Sequence, residues 1–171
     1  KSTKNKKNTP IFRFSKQVSN YTNPQNQQLI NHLKQTNLLP SILFYFSREK
    51  VESKARQLAN ASSVSEYKNI VKKQFDHIFS DLENEEYSLL NLDEHLWMWS
   101  RGVGFHHAGL APIVKEFVEY LFLNKYIDYL YATETLALGI NMPAKSIILE
   151  RLYKYDGVKT RLITQSEFLQ L

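Results

Sequence analysis

Thr133, Thr135 and Asn141 stand on either side of Gly139 in the segment ATETLALGINMPA (132–144), where the chain passes from an apolar run to polar residues within a few positions. Residues 127–131 (IDYLY) favour a strand, and small and hydroxyl residues follow it at once. Thr133 and Thr135 bracket Glu134 where a helix can begin. Hydroxyls and backbone N–H groups at such a junction are good anion ligands. Gly139 admits a close approach by a backbone or a ligand, and Pro143 biases Met142 away from the α region, which presents Asn141 on a rigid loop. An ordinary strand-turn-helix corner uses the same residue types, so the segment alone does not decide between the two.

Three further groups carry polar chemistry. Ser47 and Arg48 follow the apolar run ILFYF (42–46), and Ser47 is a natural cap for the next helix. His106, His107 and Gly109 follow the short apolar run that begins at Gly102. If the adjacent histidines lie in a strand, their side chains leave opposite faces and cannot chelate one metal together. With no cysteine in the chain, a metal site is not expected. One histidine should pack inside and the other should reach the rim at the strands' carboxyl ends. Trp97 and Trp99 could stack on nucleobases, but a leucine-rich neighbourhood places them in a core.

The elements that must position these groups alternate. A helix is predicted from Asn23, with Pro24 at its first position and Leu29, Ile30 and Leu33 on one face, ending before Pro40. After the strand at 42–46, Val51, Ala55, Leu58 and Ala59 fall at helical spacing. Residues 64–100 read as helical without a strand, an α-helical insertion (about 60–100). Pro112 opens a helix whose apolar stripe is Ile113, Val114, Phe117, Val118, Leu121 and Phe122, with Lys115, Glu116 and Glu119 toward water. Residues 146–149 form another strand, and Asp156-Gly157 suits the turn of an edge hairpin across 153–160. Residues 1–22, rich in lysine at the start, read as a polar linker.

Strands and helices in alternation imply an α/β fold with a mostly parallel sheet flanked by helices. In such a sheet every strand points the same way, so Ser47-Arg48, His107-Gly109 and Thr133-Glu134-Thr135 should share the rim at the strands' carboxyl ends. Those residue types hold a phosphate backbone without reading base identity.

Composition agrees with one globular domain: 171 residues, 43% hydrophobic and 23% charged. A formal charge of +5 mildly favours an anionic partner. Absence of cysteine fits a reducing compartment, and no run has the length and apolarity of a membrane span or a signal-peptide core, so an intracellular chain is expected.

With these pieces placed, the sequence resembles the second RecA-like domain of superfamily 2 helicases, specifically the superkiller-type DExH-box RNA helicases and their bacterial relatives. The match runs over 39–171 through LPSILFYFSREKVE (motif IV), GVGFHHAGLAPIVKEFVEYLF (motif IVa), ATETLALGINMPAK (motif V) and LERLYKYDGVKTRLITQSEFLQL leading toward motif VI. The stretch LERL (149–152) looks more like the bacterial branch. The resemblance implies a helicase C-terminal domain over 23–171, cut before motif VI is complete. It implies that Ser47, Arg48, His107, Gly109 and Thr133, with Glu134 and Thr135 beside it, lie along a nucleic-acid backbone. Gly139, Asn141 and Gln170 would face ATP in a cleft shared with a first RecA-like domain.

The same resemblance implies ATP and Mg²⁺, both held mainly by that first domain, an RNA substrate with DNA possible, and a place in an RNA-decay or processing complex. It implies a cytoplasmic protein, or a nuclear one in a eukaryote. No G-x-x-x-x-G-K-[ST] loop and no DExH box occurs in this sequence, so no catalytic residue and no ATPase activity are expected of the chain alone. The competing readings are a non-catalytic nucleic-acid-binding module, a DNA helicase of the same superfamily, and an α/β metabolic enzyme that holds a phosphorylated metabolite at Thr133.

Overall fold

Three short runs of consecutive apolar residues become adjacent parallel strands because each can be covered on both faces. The computed structural model describes residues 25–138, 143–155 and 157–164. Its strands β1 (Ser41–Phe44), β2 (Val103–His106), β3 (Tyr129–Ala132) and β4 (Ser146–Leu149) form one all-parallel sheet in the order β2-β3-β1-β4. Ser41 lies opposite Tyr129 on one side and Ser146 on the other, and Val103 is in register with Tyr129. This is the α/β, RecA-like arrangement expected from the alternation of elements.

Alternate residues of each strand feed two cores. Ile42, Phe44, Leu130 and Ala132 point to the face covered by α3 (Lys68–Ile78) and α6 (Pro112–Leu123), through Val71, Phe75, Phe117, Val118 and Leu121. Leu43, Tyr45, Tyr129 and Tyr131 point to the face covered by α1 (Gln25–Gln35) and α2 (Arg48–Ala61), where Ile30, Leu33, Val51 and Ala55 are buried. Pro112 occupies the first turn of α6, as its fixed φ favours. The start proposed for α1 at Asn23 and Pro24, and the linker over 1–22, lie outside the described residues.

The insertion folds as α3, α4 (Asn84–Leu89) and α5 (Leu92–Trp99). Here α5 straddles the edge of the sheet, sending Trp99 and Leu92 into one core and Met98 into the other. Trp99 is fully buried, while Trp97 is only partly covered and carries the Arg101 guanidinium 4.8 Å from its ring centre. Not every apolar residue of the insertion is core: Val71, Phe75 and Phe79 are buried, whereas Ile70, Ile78 and Leu89 are exposed. Strands β5 (Tyr153–Tyr155) and β6 (Thr160–Leu162) pair as an antiparallel hairpin, with Gly157 at φ +99° in the turn.

One expectation about α6 is corrected. Glu119 was placed toward water, but its carboxylate turns to His106 Nε2 at 2.6 Å, and only 19% of its side chain is exposed. A buried imidazole on the facing strand supplies a partner that periodicity cannot show.

Candidate nucleic-acid interface

Because all four strands are parallel, the loops after β1, β2 and β3 leave the sheet at one edge. Ser47 caps α2, its Oγ accepting the Lys50 N–H at 3.4 Å, and Arg48 opens that helix with its side chain exposed. Arg48 has no acidic partner within ion-pair distance among the described residues. Its guanidinium lies over Gly109, so that a Cβ there would sit 3.1 Å from Nη1 and 3.1 Å from His107 Nδ1. The loops after β1 and β2 therefore touch.

Thr133 joins them from the strand between. Its N–H donates to the His106 carbonyl at 3.2 Å, and the Tyr45 N–H donates to the Ala132 carbonyl at 2.9 Å. Thr133 is 8% exposed and its hydroxyl meets that of Thr135 at 2.9 Å. Glu134 and Thr135 are exposed at the start of the 3₁₀ turn Glu134–Leu138. Gly139, Asn141 and Gln170, the residues assigned to an ATP cleft, lie outside the described residues.

The histidines leave opposite faces of β2 and both are buried, 6% and 4% exposed: His106 packs against α6, and His107 lies at the rim beneath Gly109. Both find carboxylates on the helices that cover the sheet. Burial lowers the His106 pKa, more than the Glu119 carboxylate beside it raises it. His107 Nδ1 accepts the Gly109 N–H at 3.1 Å, so its proton sits on Nε2, which donates to Glu52 Oε1 at 2.9 Å. What the β2 loop presents to solvent is therefore Ala108 and Gly109, on a turn pinned by the imidazole beneath.

Behind Glu52 lies a set of charges that sequence reasoning missed. Arg56 Nη2 donates to Glu52 Oε2 at 2.9 Å, and Arg56 also bonds both oxygens of Glu94 on α5, at 2.5 and 3.2 Å. The hydrogen bond to Glu94 is the main reason the Arg56 pKa is raised further, and the same bond holds the Glu94 carboxyl below its ordinary range. The spacing of Glu52 and Arg56 is the one signal present in the sequence, an i,i+4 pair on a helix. At the end of β4, Glu150 pairs with Lys50 at 2.7 Å and Arg151 stands 6.0 Å from the Phe46 ring.

Net charge does not make this rim. Residues 1–24 hold six of the 22 basic residues and none of the 17 acidic ones, leaving sixteen basic against seventeen acidic in the rest. Any grip on an anion at the rim comes from placed N–H, hydroxyl and guanidinium groups and not from a broad positive field. No cluster of His, Asp and Glu able to hold a metal occurs among the described residues. A cavity of about 390 Å³ opens at the other edge of the sheet, between Lys34, Pro40, Ser65, Arg101 and Asp128, away from all of these loops.

The fold is that of a RecA-like α/β domain whose polar loops after β1, β2 and β3 gather at one edge. No family model matches the chain. Similarity to individual proteins is nonetheless extensive: the chain is 35% identical over 145 residues to the exosome RNA helicase MTR4 of Homo sapiens, covering 84% of this chain and 14% of that protein. It is 34% identical over 149 residues to the antiviral helicase SKI2 of Saccharomyces cerevisiae, covering 84% of this chain and 11% of SKI2. Against the DExH-box ATP-dependent RNA helicase DExH11 of Arabidopsis thaliana the identity is 37% over 144 residues, 84% of this chain and 11% of that helicase. Over 84% of its length the chain matches a segment of the DExH-box RNA helicases of the MTR4 and SKI2 type, and it spans about a seventh or less of those proteins.

Proposed function

We propose that this chain is the nucleic-acid-gripping part of the second motor domain of an ATP-dependent RNA helicase. The observation that carries the reading is the meeting of three loops at one edge: Arg48 over Gly109, and Thr133 hydrogen-bonded to the strand that ends in His106. These groups suit successive phosphates of one strand, with Arg48 as the exposed cation and the Gly109 and Thr135 region as close-approach surface. The names of the similar proteins support RNA as the polymer, and that of the exosome RNA helicase supports an RNA-decay or processing assembly as the setting.

In the parent enzyme, ATP and Mg²⁺ would lie between this domain and a first RecA-like domain, which would supply the phosphate-cradling loop and the metal-binding acid. Gly139, Asn141 and Gln170 are assigned to that cleft by resemblance alone. Closing and opening of the two domains with nucleotide state would shift the rim along the strand, a population shift between two grips. A cytoplasmic or nuclear location goes with this reading, and the absence of cysteine agrees with it.

Polymer length tests the proposal. A fluorescent single-stranded RNA should be displaced by unlabelled oligonucleotide far better than by mononucleotide. Thr133→Ala should weaken binding by roughly 1.5–3 kcal/mol if the hydroxyl holds a phosphate. Equal competition by mononucleotide would favour a metabolite pocket, and unchanged affinity in the variant would remove Thr133 from the site.

A further inference from the structure

His107 and the helical insertion are joined by a continuous set of contacts. From His107 Nε2 the path runs 2.9 Å to Glu52 Oε1, then from Glu52 Oε2 2.9 Å to Arg56, then 2.5 Å to Glu94 on α5. A second route is aromatic: the His107 ring stacks on Phe105 at 5.6 Å and 14°, Phe105 meets His95 at 4.8 Å, and His95 stacks on Trp99 at 5.0 Å. Glu94 and His95 are neighbours on the same helix, so both routes end on α5.

The hydrogen positions give these contacts a direction. The Gly109 N–H needs a lone pair on His107 Nδ1, which puts the imidazole proton on Nε2, and a buried N–H there needs an acceptor. Glu52 is that acceptor. Its other oxygen is engaged by Arg56, whose remaining hydrogen bonds go to Glu94, so the carboxylate is held from behind and cannot swing toward solvent without breaking the pair.

We propose that Glu52 is a positioning residue for the nucleic-acid rim, and that the α-helical insertion holds it in place through Arg56 and Glu94, thereby fixing the His107–Gly109 turn against Arg48. The inference rests on the RNA-binding reading and deepens it by giving the insertion a role. Glu52 itself touches no RNA; it sets the tautomer of His107, and the tautomer sets the Gly109 amide.

The experiment combines two readouts on the whole chain. Nitrogen-15 NMR of the histidine rings should show His107 as a single Nε2–H tautomer in the native protein and as a mixture in Glu52→Ala, with Glu94→Ala shifting the same signals less. Circular dichroism checks that each variant is folded. RNA affinity should fall about tenfold in Glu52→Ala, the size expected when one charge-assisted hydrogen bond that orders the site is lost. The double variant Glu52→Ala/His107→Ala should bind no worse than His107→Ala, because the two act on one turn. A tautomer unchanged in Glu52→Ala overturns the relay. A tautomer that changes while RNA affinity does not makes the contact merely structural and also overturns the proposal. Failure of the native chain to bind RNA would defeat the functional reading itself, and the NMR result would then show separately whether the relay exists.

Discussion

Arg48 and Gly109 meet across two loops so closely that a side chain at 109 would press on its neighbours: a Cβ would lie 3.1 Å from the guanidinium Nη1 and 3.1–3.2 Å from the His107 ring. The two neighbours differ in compliance. Arg48 ends in a flexible exposed side chain, whereas the His107 ring is held at both nitrogens. Gly109→Ala should therefore displace Arg48 and press on the fixed His107 ring, with a stability loss of about 1 kcal/mol, the centre of the range for single substitutions. RNA affinity should fall several-fold. Loss of stability without loss of affinity would contradict the placement of this pair on the rim.

Gly104 is the opposite case, a glycine required by packing. A Cβ there would meet Val118 Cγ2 at 2.7 Å and Ile127 Cδ1 at 2.9 Å, and both neighbours are fully buried. Gly104→Ala should cost about 1–3 kcal/mol by overpacking β2 against α6. Urea unfolding measures it; a native-like midpoint would mean that α6 is free to move away.

Stability should depend on pH through His95. Burial pushes its pKa down to about 4 from the ordinary 6.5, Glu94 and Glu52 opposing only in part, and its Nδ1 has no hydrogen-bond partner among the described residues. The unfolded chain therefore binds this proton more readily than the folded one. Stability is complete above pH 6.5 and declines as the pH falls toward 4, by up to about 3 kcal/mol from this group. The lowered pKa of His106 acts in the same sense. His95→Phe keeps the stacking on Trp99 and Phe105 and should flatten the decline; an unaltered profile would remove His95 as its source.

Ser47 tests the local design of the β1 loop. Its Oγ bond to Lys50 N is long at 3.4 Å, so Ser47→Ala should cost about 0.5–1 kcal/mol, the lower part of the range for lost helix caps. Thermal unfolding decides; a loss well above that would show that Ser47 carries more than the cap.

The parts legible in the sequence were those decided by local chemistry. The run ILFYF (42–46) overlaps the observed strand at 41–44, Ser47 caps α2, Pro112 opens α6, and 146–149 is a strand as read. The sharing of one rim by Arg48, Gly109 and Thr133 followed from parallel topology alone. What could not be read is pairing at a distance. Nothing in the spacing announces that Glu52 will meet His107, that Glu119 will turn to His106, or that Arg56 will bridge to Glu94, because each depends on which helix covers which face of β2. Strand order was likewise closed to periodicity, since β3 lies between β2 and β1 by crossover and not by sequence neighbourhood. The formal charge of +5 was misleading for the rim, because the excess comes from residues 1–24.

The most direct test of the central claim is the affinity of the chain for single-stranded RNA measured across a salt series. If the edge formed by Arg48, Gly109 and Thr133 holds two or three phosphates, log affinity should fall against log salt with a slope of about −1.4 to −2. Arg48→Gln should lower that slope by roughly 0.7, one phosphate's share on a single strand. A slope near zero, or one that Arg48→Gln leaves unchanged, would contradict a backbone grip at this edge.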